Sequence, residues 1–372
     1  MSNHAEVLEE IEEIAGDGAA DPLLGSIADG RYRVDRKAGE GGFGTVYAAT
    51  HLALGAPVAL KVLRPRPDIT EGRRAELVAR FMDEARMLPR LRHPNIVAAL
   101  DLGVLHITPA EPTPYLVMEW CVGSTLRAAL VRSGPLPLPQ AWRLLEPVLD
   151  AMAFAHGLGV VHRDLKPANV MLDTMAGRTV PRIIDFGLAK VVEDAVFETG
   201  LDSVLACTPA YAAPEQLCGG RTGAHTDVHA LALIFTEMIC GRSAFGVGRG
   251  ARADLRRLRP SPASLGIDAG AFEPVLVRAL ALQPDHRHAD ADELGEALRQ
   301  AARDMGLGAE PAPGLEAFAF EAPPEAVGFL PRTASASAGF FDADEGASHS
   351  QMTSAYTCAV HGDARCCEGW PA

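Results

Sequence analysis

Polar side chains interrupt apolar sequence at two places where they could act together. The stretch GLGVVHRDLKPANVML, residues 157–172, holds Asp164, Lys166 and Asn169 close together. Asp185 ends the apolar run RII and is followed by the dipeptide FG, which favours a carboxylate exposed at the end of a strand. Mg²⁺ prefers carboxylate and amide oxygens and keeps water and phosphate as its other ligands. Asn169 and Asp185 could therefore hold Mg²⁺, although each of the two short motifs taken alone also fits an ordinary turn.

A lysine in the apolar run VALKVL needs a partner, because an isolated buried ammonium group is costly. Glu84 lies on the apolar stripe of a predicted helix over residues 71–88, so an ion pair between Lys61 and Glu84 is the simplest explanation. The other members of that stripe are Leu77, Phe81 and Leu88. A purely structural pair, or a lysine that extends to solvent, is the alternative.

The glycine-rich segment GEGGFGTV begins at Gly39 and ends at Val46. A GxGxxG string alone occurs in dinucleotide sites, phosphate lids and ordinary tight turns. The residues TVYAAT that follow alternate like a strand, whereas a dinucleotide fold needs a helix there, so that fold is excluded. Taken alone, the segment fits a phosphate lid and a plain hairpin equally.

The elements that must position these groups change type along the chain. Short β-rich runs separated by Gly and Pro predict a twisted antiparallel meander. These runs are RYRVDRKAGE, GTVYAATH and APVALKVL, and two more strand-like runs, NIVAALDLGVL and PYLVMEW, follow the predicted helix. After the Gly/Pro segment at 133–139 the pattern is mostly helical to about residue 304. Its most apolar helix, 227–239, is hydrophobic nearly all round and should be buried.

Charge is unevenly distributed along the 372 residues. The total of −14 divides into −8 in residues 1–29, −7 in residues 305–372 and +1 in the part between them. A nearly neutral body gives no electrostatic reason to expect nucleic acid or a membrane surface as the main partner. Residues 1–29 are therefore predicted to form an acidic N-terminal tail, and residues 305–372 an Ala/Pro/Ser-rich, disordered C-terminal tail.

The seven cysteines form an odd set without a disulfide framework, which is typical of a reducing compartment. No signal-peptide pattern and no run of about 18 apolar residues occurs. A cytoplasmic location without a membrane span is therefore predicted. Cys358, His361, Cys366 and Cys367 lie close together, but their spacing favours exposed thiols over a zinc site.

The motifs GEGGFGTV, VALK, the helix carrying Glu84, HRDLKPAN, DFG and APE occur in this order. Together they resemble the eukaryotic-type (Hanks-type) serine/threonine protein kinase family, over residues 30–304. The resemblance implies an α+β, two-lobed fold. The N-lobe, about 30–120, would be a small antiparallel β-sheet plus one helix, and the C-lobe, about 121–304, would be mainly helical.

The resemblance implies the activity of a serine/threonine protein kinase that uses ATP and Mg²⁺. Asp164 would receive the proton of the substrate hydroxyl, and Lys166 would steady the transferred phosphoryl group and favour Ser/Thr acceptors. Asn169 and Asp185 would hold Mg²⁺. Protein substrates are implied as partners, together with autophosphorylation of the chain itself.

The nucleotide site is implied in the same way. Lys61, oriented by Glu84, would hold the α- and β-phosphates, and the glycine segment would cover the phosphates. Adenine would lie above Met171 and against the hinge that begins at the gatekeeper Met118. The whole set is Ala38, Gly39, Glu40, Gly41, Gly42, Phe43, Gly44, Val46, Ala59, Lys61, Glu84, Met118, Glu119, Cys121 and Met171.

Structural roles are implied for three further groups. Asp227 would brace the catalytic loop, and Glu215 would pair with Arg287. Arg163, beside the catalytic carboxylate, would bind a phosphorylated residue of the activation loop, for which Thr199 and Ser203 are candidates. The role implied for Arg163 predicts that phosphorylation of the activation loop controls the activity.

Two departures from the family pattern keep an alternative open. Cys207 stands where this branch usually has Gly, and the Arg-rich region 245–272 is shorter than usual. They motivate a pseudokinase or nucleotide-binding scaffold with little turnover, against which the complete catalytic set speaks. A kinase acting on a small molecule is disfavoured by TPAYAAPE, which resembles a platform for protein substrates.

Overall fold

The computed structural model describes residues 21–41, 44–63, 71–106, 112–186, 210–241 and 260–307. The first part is an antiparallel sheet of six strands. They are β1 (Ile27–Ala28), β2 (Tyr32–Gly41), β3 (Gly44–His51), β4 (Ala56–Val62), β5 (Ala99–His106) and β6 (Pro112–Glu119). Their order across the sheet is β1-β2-β3-β4-β6-β5. The meander predicted for the first three runs is confirmed in β2, β3 and β4, whereas β6 lies between β4 and β5.

One helix, α1 (Glu71–Ala85), lies between β4 and β5. It ends three residues before the predicted end, and a short 3₁₀ turn at Leu88–Arg90 follows. Proline at 89 ends the α-helical pattern because it has no N–H to donate. Phe81 and Ala85 of α1 pack with Leu116 and Met118 against one face of the sheet.

The opposite face of the sheet is covered by residues that the sequence assigned to the N-terminal tail. Leu23 and Ala28 are buried there with Tyr47, Leu60 and other apolar residues of the strands. The Tyr47 hydroxyl donates to the Asp21 carboxylate at 2.7 Å. Residues 21–28 therefore belong to the sheet packing, because the apolar face of β3 and β4 needs a cover.

The helical part of the chain surrounds a single long buried helix. Its helices are α2 (Leu126–Ser133), α3 (Leu138–Gly157), α4 (Pro214–Leu217), α5 (Ala224–Cys240), α6 (Phe272–Ala279) and α7 (Ala291–Asp304). Fourteen of the seventeen residues of α5 are buried, as its all-round hydrophobic pattern predicted. The helix ends at Gly241, which adopts a left-handed conformation with φ 71°.

A second, smaller sheet was not predicted. It consists of β7 (Gly123–Thr125), β8 (Val170–Met175) and β9 (Arg178–Ile183), all antiparallel. A strand before Asp185 was predicted from the apolar run RII and corresponds to β9, but β7 and β8 are short and no local period marks them. This sheet places the segment after the catalytic motif beside the segment that leads to Asp185.

The predicted α+β, two-lobed architecture is confirmed. Within the described ranges, no helix is both long and apolar enough to cross a lipid bilayer.

Candidate active site

The HRDLKPAN segment folds into a loop that surrounds the Asp164 carboxylate with donors. Lys166 Nζ lies 2.8 Å from Asp164 Oδ2. The side-chain amide of Asn169 donates to the backbone oxygen of Asp164 at 2.7 Å, and lies 3.4 Å from Oδ2. These bonds fix three of the predicted catalytic residues relative to one another.

The buried carboxylate of Asp227, on α5, positions this loop by accepting hydrogen bonds from its backbone. Asp227 accepts the backbone N–H of His162 at 2.7 Å and that of Arg163 at 2.8 Å. Arg163 has φ 66°, a left-handed conformation that costs a non-glycine residue about 1 kcal/mol. The two bonds to Asp227 offset that cost, so the role implied for Asp227 agrees with the observed contacts.

His156, which the sequence analysis missed, completes the support of Asp227. Its Nδ1 accepts the backbone N–H of Ala291 at 3.1 Å, so the ring proton lies on Nε2 and is donated to Asp227 at 3.0 Å. Burial by itself raises the pKa of Asp227, but the His156 bond and the neighbouring histidines outweigh it, and the pKa is lowered. A histidine directly after the apolar run AMAFA at the end of α3 was the signal that could have found it.

Lys61 and Asp185 form an ion pair across the cleft. Lys61 Nζ lies 2.7 Å from Asp185 Oδ1, and the two side chains are 7% and 23% exposed. The side chain of Glu84, the partner predicted for Lys61, lies outside the described residues. The contact places the predicted phosphate-binding lysine directly beside the predicted metal-binding carboxylate.

Two hydrogen bonds to backbone carbonyl groups connect the residue before Asp185 to the catalytic loop. The Ile184 N–H donates to the Asn169 carbonyl at 3.0 Å, and His162 Nε2 lies 2.9 Å from the Ile184 carbonyl. The His162 ring also packs on Phe186, with ring centroids 4.9 Å apart. Asp185 itself has φ 64°, which turns its side chain away from the strand direction.

The side-chain oxygens of Asn169 and Asp185 are suitable ligands for Mg²⁺. The Asn169 amide nitrogen is used by Asp164, which leaves its amide oxygen as a ligand, and Asp185 has a second carboxylate oxygen beyond the one bound to Lys61. Mg²⁺ commonly takes one or two protein oxygens and completes its shell with water and phosphate. In the part of the chain that is described, no group of three or more His, Cys, Asp or Glu forms another candidate metal site.

The glycine segment is a hairpin between β2 and β3, as predicted. Gly39 pairs with Val46, Glu40 with Thr45, and Gly41 with Gly44. Gly44 has φ 144°, and a Cβ there would lie 2.2 Å from the Val62 carbonyl, so only glycine fits. Gly42 and Phe43, at the tip, lie outside the described residues.

The predicted adenine slot is built from neighbouring strands. Ala59 pairs with Met118 across β4 and β6, and both pack in the cluster against which Val46 lies. Met171 is half-buried and alternates with Val170 and Leu172, which point into the core of the helical lobe. Ala38 is exposed on β2 and Glu40 pairs with Lys37, so neither shows a contact that marks it as a binding residue.

The hinge after β6 keeps polar backbone groups available. Among the described residues, none pairs with the backbone N–H or C=O of Cys121, whereas the next N–H, of Val122, donates to Asp173 at 2.8 Å. The Glu119 N–H donates to the Ala98 carbonyl at 3.1 Å. Within the described part of the chain, the backbone N–H and C=O of Cys121 are thus available for other partners.

Arg182, also missed from the sequence, lies behind the hinge and is 8% exposed. It contacts the Glu119 carboxylate, Asp173 Oδ2 at 3.2 Å and the Ile96 carbonyl at 3.2 Å. Burial by itself lowers the pKa of Arg182, but the bonds to Glu119 and Asp173 outweigh it, and the pKa is raised. A cation within the apolar run TVPRII was a signal of the same kind as Lys61.

The predicted pair between Glu215 and Arg287 is observed as two parallel bonds of 2.9 and 2.8 Å, with both side chains buried. Arg163 Nε is buried and has no hydrogen-bond partner within the described ranges. Its predicted phosphorylated partners lie outside the described residues. The same holds for Cys207, for most of the Arg-rich region and for the C-terminal Cys/His cluster.

Known proteins are similar to this chain over most of its length. The model of the family described as protein kinase domain matches residues 32–265. Serine/threonine-protein kinase Pkn1 of Myxococcus xanthus is 36% identical over 288 residues, which are 76% of this chain and 40% of Pkn1. Serine/threonine-protein kinase PknL of Mycobacterium tuberculosis is 34% identical over 295 residues, which are 78% of this chain and 70% of PknL.

Among solved structures, the Mycobacterium tuberculosis PknI kinase domain superposes with a TM-score of 0.59 and 27% sequence identity. The superposition covers 76% of this chain and all of the PknI chain. The chain thus spans less than half of the length of Pkn1, whereas it covers the whole of the PknI kinase domain.

Proposed function

The chain belongs to the protein kinase family, and on this premise we propose that it transfers the γ-phosphoryl group of ATP to Ser or Thr hydroxyls of proteins. The observation that carries the proposal is the arrangement of Asp164, Lys166 and Asn169, connected through Ile184 to the pair of Lys61 and Asp185. Phosphoryl transfer depends on alignment and charge neutralisation more than on covalent help, and these residues supply both.

The contacts of the chain's own residues support the catalytic steps that we assign to them. Asp164 accepts the proton of the acceptor hydroxyl, and Lys166, 2.8 Å away, stabilises negative charge on the transferred group. Lys61 holds the phosphates of ATP on the opposite side of the cleft. Its contact with Asp185 keeps the lysine directed at the site rather than at solvent.

Asn169 and Asp185 would hold Mg²⁺ through their free side-chain oxygens. When bound, Mg²⁺ neutralises charge on the phosphates of ATP. Asn169 also positions Asp164 through its amide nitrogen, so one side chain joins the metal ligands to the proton acceptor. Loss of Asn169 is expected to affect both functions.

The base of ATP is proposed to lie between Val46 and Ala59 on one side and the side chain of Met171 on the other. The backbone N–H and C=O of Cys121 are the groups proposed to bind its edge. Because three cysteines of the described chain, Cys121, Cys218 and Cys240, are free thiols, and because ATP is abundant in the cytoplasm, a cytoplasmic site of action is part of the proposal.

The test is incubation of the purified full chain with γ-labelled ATP and Mg²⁺, followed by phosphosite mapping. Wild type is expected to label itself and a generic protein substrate. Asp164→Asn and Asp185→Asn are expected to abolish labelling, a loss of at least about 10²-fold, with an unchanged circular dichroism spectrum. Persistent labelling by either variant would refute the assigned roles, and a wild type that binds ATP without labelling would support the scaffold.

A further inference from the structure

Helix α5 carries a buried carboxylate near its C-terminal end. Glu237 is 1% exposed and is surrounded on its helix by apolar residues. Its Oε1 accepts a bond from Arg127 Nη1 at 2.7 Å, and its Oε2 accepts one from the Tyr211 hydroxyl. Two separate elements therefore converge on one charge that the catalytic arrangement does not use.

The ion pair presents its positive end to solvent. The Arg127 side chain is 43% exposed, whereas that of Glu237 is 1% exposed. The interaction energy between charges falls with distance, so a charged group that approaches from solvent interacts more strongly with the guanidinium than with the carboxylate behind it. The surface at this point is cationic although the pair as a whole is neutral.

The position of Arg127 is fixed by its helix. Thr125 caps α2, and its hydroxyl accepts the Ala128 N–H at 3.2 Å. Arg127 is the second residue of this helix, which limits where its side chain can reach. Pairing with Glu237 limits it further, so that the guanidinium is held in one place rather than moving freely.

This place lies next to the catalytic loop. Helix α2 packs on the 3₁₀ turn Pro167–Asn169. Tyr211, which shares Glu237 with Arg127, lines a small cavity together with Asp164. This placement lets a peptide whose acceptor hydroxyl reaches Asp164 pass close to the exposed half of Arg127.

We propose that Arg127, held in place by Glu237, determines substrate specificity: it favours an acidic residue near the acceptor Ser or Thr and disfavours a basic one. The inference rests on the proposed kinase function. The carboxylate of Glu237 is the only negative charge in this group of three residues, and Arg127 keeps it from attracting a cationic side chain. Loss of Arg127 should therefore reverse the preference rather than merely weaken it.

The experiment compares kcat/KM for a series of peptides with a single Ser acceptor in a neutral background. In each peptide one neighbouring position carries Glu or Lys. For wild type, the ratio of Glu to Lys peptide is expected to exceed one at one or more positions, by roughly fivefold, the size expected of an exposed ion pair. Arg127→Met is expected to bring this ratio below one, because Glu237 then attracts the lysine.

Arg132→Met is the matched control. It removes the same charge from the same helix, but the Arg132 guanidinium lies near Ser124 rather than Glu237. Its Glu to Lys ratio is expected to equal that of wild type. A ratio that changes equally in both variants would overturn the inference, because it would report general electrostatic attraction instead of a specific contact.

Glu237→Gln tests the inference independently, in case Arg127→Met does not fold. Neutralising the buried carboxylate leaves the Arg127 charge uncompensated, so the preference for Glu is expected to increase. A wild type that transfers phosphoryl groups to all peptides at equal rates, or an unchanged ratio in Glu237→Gln, overturns the specificity role. Absence of transfer to every peptide refutes the kinase function itself.

Discussion

At the scale of a single residue, Cys121 shows how position sets the reactivity of a side chain. The residue lies in the hinge, half-buried, and its sulfur is 3.9 Å from a guanidinium nitrogen of Arg182. Burial, with the negative charge of Asp173, raises the pKa of the Cys121 thiol to about 12, although Arg182 acts in the opposite direction. The thiolate is the nucleophilic form, so this thiol is inert at neutral pH.

We expect iodoacetamide at pH 8 to alkylate exposed Cys218 well before Cys121 in the folded protein. The pKa of Cys121 is raised, so its thiolate fraction stays small until the pH nears 12. Peptide mass spectrometry after timed quenching measures both rates. In urea the two cysteines should react alike, and equal rates in the native protein would contradict the assigned environment.

At the scale of elements, strand β2 contacts the hinge across the mouth of the cleft. The guanidinium of Arg36 lies over the Trp120 ring, 5.4 Å from its centroid. Arg36 pairs with Ala48, and Ala48 with Ala59, so the residues share the face of the sheet that lines the adenine slot. The cation–π contact therefore connects the strand that leads into the glycine hairpin to the hinge.

Arg36→Met is expected to raise KM for ATP about twofold to fivefold, with little change in kcat, because an exposed cation–π contact contributes roughly 0.5–1 kcal/mol. Steady-state kinetics with varied ATP measure both constants. Arg33→Met is the matched control, because its side chain pairs with Asp35 on the same strand instead. A KM that rises equally in both variants would show that charge alone matters.

At the scale of the whole molecule, Arg182 joins the two lobes. Its guanidinium contacts the hinge at Glu119, the helical lobe at Asp173 and the backbone of the N-lobe at Ile96. The same region is connected by backbone bonds of 2.8 and 2.9 Å between β9 and residues 95–97. The strand that leads to Asp185 is thereby attached to both lobes.

Arg182→Met is expected to lower the free energy of unfolding by about 3 kcal/mol, because it leaves the buried Asp173 carboxylate without its cation. Urea denaturation followed by circular dichroism measures the loss. The double variant Arg182→Met with Asp173→Asn should recover part of it, since the amide oxygen can still accept the Val122 N–H. Equal stability of the single and double variants would argue against an uncompensated buried charge.

The fold class followed from the resemblance to a known kinase family, whereas local sequence predicted the hairpin, the buried helix and the close spacing of the polar residues in the catalytic motif. These depend on local properties: alternation in β3, the all-round hydrophobicity of α5, and side-chain types within a few positions such as Asp164 to Asn169. Local spacing is preserved whenever the chain forms a given element, so these predictions do not require long-range contacts. The small sheet of β7, β8 and β9 was not predicted from the sequence, because its strands are too short to show a period.

The resemblance predicted one distant ion pair, between Glu215 and Arg287, but only the tertiary structure decided how the other distant charges pair. Among the described side chains Lys61 pairs with Asp185, and Arg127 pairs with Glu237 across 110 positions of sequence. His156 supports Asp227 from 71 positions away, and nothing in either local pattern indicates the other. A buried charge shows in the sequence that it needs a partner, but which partner it receives depends on how the lobes pack.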